Sequence, residues 1–380
     1  MKEKIPVNAE ILKWARESIG LSLSFVAKKM KKTLKEIESW ESGATSPTYV
    51  QLETLASEIY KRPIALFFFP EIPNEAMPKT EFRTYPEEIL GELPYEIIKA
   101  YRTAKVFQLN LEELFEGSSP SNDSILQTYK IDMNTDLNKI CKDLRKYLNI
   151  SIEQQLQWKS IEEAFNQWRI LLEDHGVFVF KNAFKNDFYS GFCLHSEKYP
   201  VIYVNNSMPY SRQIFTLFHE LGHLLLNTGG IDLRSKDYLK KVSFQGKKIE
   251  VFCNAFANRF LIPQEYFDKE TLSTNEDHIE NLAHKYKVSR EVILRNFLDR
   301  AVINVNQYEE IVQSWNKAKR PKKGSGGDYY NTHKSYLGES YIKIVLSKYY
   351  QNKISSLSAA EYLDIKEKNL STFEHYAIRE

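Results

Sequence analysis

The spacing of hydrophobic positions changes along this chain of 380 residues. From residue 8 to about 62, and again from about 92 to 172, apolar residues recur every three to four positions, which predicts short amphipathic helices. Between residues 175 and 205 the pattern becomes brief β-branched and aromatic runs separated by turn-like stretches, which predicts strands. The runs are His175–Phe180, Ser190–Leu194 and Val201–Asn205. We therefore expect a multidomain, mainly α protein with a small antiparallel sheet.

The segment after the strands carries the clearest chemical pattern. Its apolar residues again have helical spacing, which buries one side of a helix; they are Ile214, Leu217, Phe218, Leu221, Leu224 and Leu225. His219 and His223 lie four positions apart on one face of that helix, and both can direct an imidazole at one metal ion. Glu220 lies beside His219 but off the shared face. The pattern is the His-Glu-x-x-His sequence of zinc-binding helices.

A catalytic zinc site usually takes three protein ligands, so we expect a third downstream. The next stretch with helical spacing, residues 249 to 263, supplies Glu250 near its start. Asn254 lies one turn later, where its side chain can accept the second ring N–H of a ligand histidine. Two alternatives stay open. Glu250 is otherwise a solvated charge at a helix start, and Cys253 is either a soft metal ligand or a small buried residue.

The residues around this pattern resemble those of the ImmA/IrrE family of zinc metallopeptidases, which is gluzincin-like. The resemblance is carried by the run Phe215 to Leu226, by Glu250, Asn254, Phe256 and Ala257, and by the closing Leu261, Ile262 and Pro263. It implies an α+β metallopeptidase domain with Zn²⁺ held by His219, His223 and Glu250. Glu220 would then be the general base that takes a proton from water.

The N-terminal helices carry a second resemblance, to the helix-turn-helix of the Xre/Cro-type repressors. It rests on the segments Gly20–Ala27 and Ile37–Gly43. In that family the helix beginning near Thr33 enters the major groove of DNA. The side chains expected to face the DNA are those of Lys32, Thr33, Lys35, Glu36 and Ser39. Three glutamates between residues 36 and 41 oppose phosphate contact, whereas four lysines between 28 and 32 favour it. A helical bundle kept for dimerisation or protein recognition is the alternative.

Composition and charge favour a cytoplasmic protein. The net charge is +2 at pH 7, so affinity for nucleic acid requires a local basic patch. The cysteines are odd in number, three in all, which argues against a disulfide framework. The N-terminus lacks the apolar stretch of a signal peptide, and the longest apolar run is too short to span a bilayer. We therefore expect no membrane contact.

These patterns divide the chain into four parts. We expect an Xre-type helix-turn-helix domain at residues 1–72 and a proline-containing linker with a helical scaffold at 73–172. The metallopeptidase domain is expected at 173–316. A basic hinge and a helical C-terminal segment follow at 317–380.

The two resemblances together imply a regulatory zinc-dependent endopeptidase with a DNA-binding module. Its expected partners are double-stranded operator DNA and a protein substrate such as a repressor or an antitoxin-like protein. The chain itself is another candidate substrate, and a homodimer stays open. The alternative is a DNA-binding transcriptional regulator or antitoxin whose metal domain senses a ligand or binds a toxin without proteolysis. Glu220 favours the enzyme, because a purely structural zinc site needs no general base.

Overall fold

A computed structural model describes residues 6–73, 93–121, 123–228, 230–233, 244–317 and 328–378 of the chain. The chain divides into two compact units, Met1–Val106 and Phe107–Glu380. The predicted linker after Pro73 and the predicted basic hinge after Lys317 lie outside the described residues. The four-part division of the chain stays a prediction.

The described part of the first unit is helical. Its elements are α1 (Ala9–Glu17), α2 (Leu23–Met30), α3 (Leu34–Glu41), α4 (Tyr49–Glu53) continuing as a π-helix (Thr54–Tyr60), a 3-10 helix (Ile64–Phe68) and the first part of α5 (Tyr95–Leu114). Hydroxyl side chains cap the N-termini of two of these helices. Ser22 accepts from the backbone N–H of Phe25 at 3.2 Å, and Thr33 accepts from that of Glu36 at 3.3 Å. Each cap satisfies an N–H that has no partner within its own helix.

The second unit holds a small sheet among helices. Its elements after α5 are α6 (Ile125–Thr128), α7 (Leu137–Tyr147), α8 (Ile152–Gln157), α9 (Ile161–Asp174), β1 (Phe178–Asn182), β2 (Tyr189–Leu194), β3 (Val201–Asn205), α10 (Tyr210–Leu225), β4 (Gly230–Leu233), α11 (Phe244–Leu261), α12 (Gln264–Phe267), α13 (Glu276–Tyr286), α14 (Arg290–Asp299), α15 (Val305–Lys317), α16 (Tyr329–Leu337), α17 (Glu339–Tyr350), α18 (Ser356–Tyr362), a 3-10 helix (Glu367–Asn369) and α19 (Leu370–Ile378). The protein is thus mainly helical, as the hydrophobic spacing predicts.

The sheet corrects the prediction of an antiparallel arrangement. Its strand order is β1-β3-β2-β4, and β1 pairs with β3 in parallel, with Phe178 opposite Val201. Strand β2 is antiparallel to both β3 and β4. The sheet is therefore mixed, and its fourth strand lies in a stretch that carries no strand pattern in the sequence.

Coverage of both faces of β1 explains why a parallel pair occurs here. Val179 is fully buried in the main hydrophobic core of the unit. The next residue, Phe180, points to the opposite face, where its ring lies 4.4 Å from that of Phe107 and 5.1 Å from that of Tyr341. Parallel strands usually need cover on both faces. Tyr341 of α17 provides part of it, so the C-terminal helices are built into the second unit.

Three aromatic side chains fix the helices that carry the predicted chemistry. Trp168 of α9 packs edge-on against Phe218 of α10 at a centroid distance of 4.9 Å, and its ring lies 5.6 Å from that of Phe260 of α11. Phe218 and Phe260 stack at 4.3 Å. Such aromatic contacts add to the stabilisation from buried area. They hold α10 and α11 side by side against α9.

Among the residues that the structure describes, none forms a helix that is both long and apolar enough to cross a bilayer.

Candidate metal centre

Helix α10 is buried on all sides in its second half. Every residue from Thr216 to Leu225 is buried, which is the pattern of a helix enclosed by other elements. Two glycines permit this enclosure. A Cβ at Gly191 of β2 would lie 2.5 Å from Thr216 Cγ2 and 2.8 Å from the Tyr203 carbonyl oxygen. A Cβ at Gly222 would lie 3.3 Å from the Cys253 sulfur, so this glycine lets α11 approach α10 closely.

The close pairing of α10 and α11 brings three ligand-type side chains together. His219 Nε2 lies 3.2 Å from His223 Nε2. The two carboxylate oxygens of Glu250 divide between the rings, one at 3.4 Å from His219 Nε2 and the other at 3.2 Å from His223 Nε2. All three residues are buried, with exposures of 1%, 0% and 4%. Among the described residues, they form the one His/Cys/Asp/Glu group with metal-binding spacing.

The ligand atoms of this group lie close enough together to share one ion. Zinc bonds of roughly 2.0–2.2 Å to imidazole nitrogen and carboxylate oxygen place neighbouring ligand atoms about 3.3–3.5 Å apart. The two Nε2 atoms lie 3.2 Å apart, each ring has one Glu250 oxygen at 3.2 or 3.4 Å, and one ligand atom from each residue lies within 4.8 Å of the others. Two imidazoles and a carboxylate accept several divalent ions. The cluster is therefore compatible with a bound metal ion.

Hydrogen bonds orient both rings with Nε2 toward the cluster. His219 Nδ1 lies 3.1 Å from Asn254 Oδ1, an acceptor. His223 Nδ1 lies 3.1 Å from Thr228 Oγ1, whose own proton goes to the His223 carbonyl oxygen. Each Nδ1 therefore carries the proton, which leaves the Nε2 lone pair available to a metal. The sequence points to Asn254 through its helical spacing from Glu250, but Thr228 was missed because it follows the end of α10.

The environment of the Glu250 carboxyl also suits a metal ligand. Burial alone raises the pKa of this carboxyl, but the adjacent imidazoles of His223 and His219 outweigh burial and hold the pKa well below its ordinary value. Glu250 is enclosed, with 4% of its surface exposed, so the alternative of a solvated charge at a helix start does not hold. Cys253 is also fully buried, but the metal-binding group in the described residues does not include it. Its sulfur packs beside Gly222 instead.

Glu220 lies on α10 directly after His219 and is fully buried. It occupies the middle of the His-Glu-x-x-His pattern, on the helix that carries both imidazoles. A carboxylate in a water-poor site on the same helix as two possible metal ligands has the setting of a general base. That role for Glu220 stays a prediction.

The side chains predicted to face DNA are held largely by local bonds in the first unit. Glu36 accepts from the Thr33 backbone N–H and from Lys32 Nζ, both at 2.9 Å. Together with the Thr33 cap this makes a capping box at the start of α3. Ser39 bonds to the Glu36 carbonyl oxygen at 2.8 Å and to the Thr45 hydroxyl at 2.6 Å. Lys35 is exposed.

Comparison with known proteins supports a peptidase-type domain around the cluster. A search of curated proteins found no match to the chain. Residues 172–298, about one third of the chain, match the family model Peptidase_M78, described as an IrrE N-terminal-like domain. This segment contains the sheet, α10 and α11, and with them His219, His223 and Glu250. The segment that carries the three clustered side chains is therefore similar to an IrrE N-terminal-like domain of a peptidase family.

Proposed function

We propose that the chain is a regulatory zinc-dependent endopeptidase in which His219, His223 and Glu250 hold the metal. The observation that carries the proposal is the convergence of three buried ligand side chains at separations of 3.2 to 3.4 Å. The match of the surrounding segment to a peptidase family supports it. Three protein ligands leave one tetrahedral position for water or substrate, which is the arrangement of catalytic zinc.

The protein's own groups have separate tasks in this proposal. Bound zinc would supply a Lewis acid that polarises a peptide carbonyl and makes a nearby water more acidic. Glu220 takes the proton from that water and then returns it to the leaving amine. Asn254 and Thr228 keep both histidine rings in the tautomer and orientation that ligation needs. The burial of Glu220 and of all three ligands keeps bulk water from weakening these interactions.

The first unit is proposed as the DNA-binding module of this regulator. Helices α2 and α3, each of eight residues, are joined by a short turn in which Lys31 adopts a left-handed conformation with φ of 53°. This local arrangement supports the helix-turn-helix hypothesis. Lys35 and the lysines of α2 would supply contacts to DNA phosphates. Thr33 and Glu36 would instead hold α3 in place through the capping box.

The proposed substrate is a repressor of the Xre type, an antitoxin-like protein or the chain itself. The test compares the wild type with Glu220→Gln, which removes the base and leaves the three ligands. Glu197→Gln is the matched control, because it makes the same change at an exposed position. Each protein is loaded with zinc and incubated alone or with a purified Xre-type repressor, and fragments are measured by intact mass spectrometry.

We expect cleavage by the wild type and by Glu197→Gln. In Glu220→Gln, cleavage should slow on the order of 100-fold or more while zinc content is unchanged. Equal cleavage by all three proteins would refute Glu220 as the base. Zinc binding without cleavage of any substrate, with DNA or a partner protein bound equally by wild type and Glu220→Gln, would favour a non-proteolytic regulator.

A further inference from the structure

A second candidate site lies in the second unit, apart from the metal cluster. It is a cavity of about 840 Å³ lined by residues of α7, α8, α12 and the C-terminal end of α11. Arg259 is the α11 residue in its wall and follows Glu250 by nine positions. At 1.5 Å per residue this is roughly 14 Å along the helix axis. The cavity has the volume of a small-molecule site, roughly 300–1,000 Å³.

The charges in the cavity wall are unbalanced. Both acidic residues of the lining are engaged by cations, Glu265 by Lys142 at 3.6 Å and Asp268 by Arg300 at 2.8 Å. Four further basic residues of the lining have no carboxylate within 4.0 Å in the part of the chain that the structure describes. They are Lys139, Arg145, Lys146 and Arg259. The wall therefore presents a net positive charge to its contents.

Arg145 is the most informative member of this set because it is buried, with 6% of its surface exposed. Its Nη1 donates to Gln155 Oε1 and to the Phe260 carbonyl oxygen, both at 2.9 Å. Its Nη2 has no hydrogen-bond partner among the described residues. Burial lowers the pKa of Arg145 to about 10. Nη2 itself is enclosed in the wall, so Arg145 acts on the contents of the cavity through its charge. A buried charge with no carboxylate in contact is costly, and an anion in the adjacent cavity would reduce that cost.

The rest of the lining suits an organic ligand. Ile150, Ile152 and Pro263 contribute apolar surface, and Tyr266 adds an aromatic ring whose hydroxyl is already committed to Glu153 at 2.8 Å. An inorganic anion has no apolar surface to bury against these side chains. A molecule with an apolar part does, and burying that part favours its binding. Arginine and lysine side chains together are typical of phosphate recognition.

We propose that this cavity binds a small phosphorylated organic molecule, with its phosphate groups against Lys139, Lys146 and Arg259 and within reach of the buried charge of Arg145. The site is separate from the proposed peptidase centre, and its test does not depend on proteolysis. ADP serves as the organic probe and inorganic pyrophosphate as the probe without an apolar part.

The experiment titrates each probe into the full chain by isothermal calorimetry at about 0.15 M and at lower ionic strength. The test variant is Lys139→Gln/Lys146→Gln. Its control is Lys130→Gln/Lys159→Gln, which removes the same charge at two exposed positions outside the cavity lining. All four lysines are exposed, so both variants should keep the wild-type circular dichroism spectrum and melting temperature.

We expect ADP to bind the wild type and the control variant alike, and more tightly than pyrophosphate. The Lys139→Gln/Lys146→Gln variant should bind ADP about tenfold or more weakly, because it loses two charge-assisted contacts. Failure of both probes to bind, or equal affinity in the two double variants, would overturn the proposal. So would binding that survives in Lys139→Gln/Lys146→Gln but is lost in His223→Asn, since the phosphate would then lie at the metal cluster.

Discussion

The two regions singled out by the sequence, the α10–α11 pair and the α2–α3 pair, differ in how their side chains are used. In the first, His219 and His223 meet Glu250 from a second helix 27 residues further along the chain, and all three are buried. In the second, Thr33, Glu36 and Ser39 bond mainly to neighbours within their own helix or the turn beside it. The side chains of the first region converge as metal ligands would, whereas those of the second are largely satisfied by hydrogen bonds within or beside their own helix.

The difference shows what each kind of pattern can establish. A metal ion needs ligand atoms that lie about 3.3–3.5 Å from one another. Side chains from two different helices do not have to approach this closely to complete the hydrogen bonds of either helix. Hydroxyl and carboxylate side chains at a helix start, by contrast, have an ordinary local task as caps. Convergent side chains therefore carry the functional hypothesis here, and the capping side chains of α3 do not.

The largest loss of stability is expected at Gly191, where β2 packs closely against α10. Gly191→Ala places a methyl group 2.8 Å from the Tyr203 carbonyl oxygen and 2.5 Å from Thr216 Cγ2, one turn before Glu220. Because backbone lies on one side, the strand must shift, and we expect a loss of about 2–3 kcal/mol in the free energy of unfolding. Urea unfolding followed by circular dichroism measures it.

Gly222→Ala is the matched control for that substitution. Its new methyl group would meet side-chain atoms of Cys253 and Phe256 at 3.3 Å and the Cys253 Cα at 3.4 Å, which are looser contacts than those at Gly191. These side chains can adjust, and alanine favours a helix over glycine by up to about 1 kcal/mol. We expect a change below about 1 kcal/mol. A Gly191→Ala protein as stable as Gly222→Ala would show that β2 does not pack against α10 as described.

A smaller effect is expected from the partners of the ligand histidines. Asn254→Ala removes the acceptor of His219 Nδ1, and Thr228→Val removes that of His223 Nδ1. Each should lower zinc affinity about 10–100-fold without abolishing binding. Competition with a chromophoric chelator measures the affinity. Gln245→Ala, at an exposed position of α11, should leave it unchanged; zinc affinity unaltered in both test variants would contradict the assigned tautomers.

The smallest effect is expected on the local stability of α3. Glu36→Ala removes half of the capping box and should cost about 1 kcal/mol of local stability, seen as faster hydrogen exchange of the α3 amides. Glu36→Gln keeps the box, since glutamine serves at the same position, and exchange should stay at the wild-type rate. If Glu36 reads a base instead, Glu36→Gln would change the preferred operator sequence with no change in exchange.

The clustering of the candidate metal ligands can be predicted from the sequence because it depends on helical spacing. His219, His223, Glu250 and Asn254 all lie at turn intervals within two apolar helices. Thr228 lies beyond the end of α10, where its approach to His223 depends on turn geometry that periodicity does not encode. The parallel pairing of β1 with β3 likewise cannot be predicted from the hydrophobic pattern, because it depends on the C-terminal helices that cover Phe180.

The capping box of α3 gives two of the predicted DNA-facing residues a local role. The spacing Thr33-x-x-Glu36 is itself a recognisable helix-start pattern. Thr33 and Glu36 therefore have a local role at the start of α3, and their contacts with DNA stay a prediction.

The most direct test of the central claim is the zinc content of the full chain after zinc loading and dialysis, measured by inductively coupled plasma mass spectrometry. Wild type and Glu220→Gln should each retain one zinc per chain. Glu250→Gln should lose zinc affinity by more than the ~10–100-fold expected for loss of a ligand's hydrogen-bond partner, and Glu197→Gln should match the wild type. A wild-type chain that retains no zinc, or a Glu250→Gln chain that retains it as tightly as wild type, would contradict the proposed metal site.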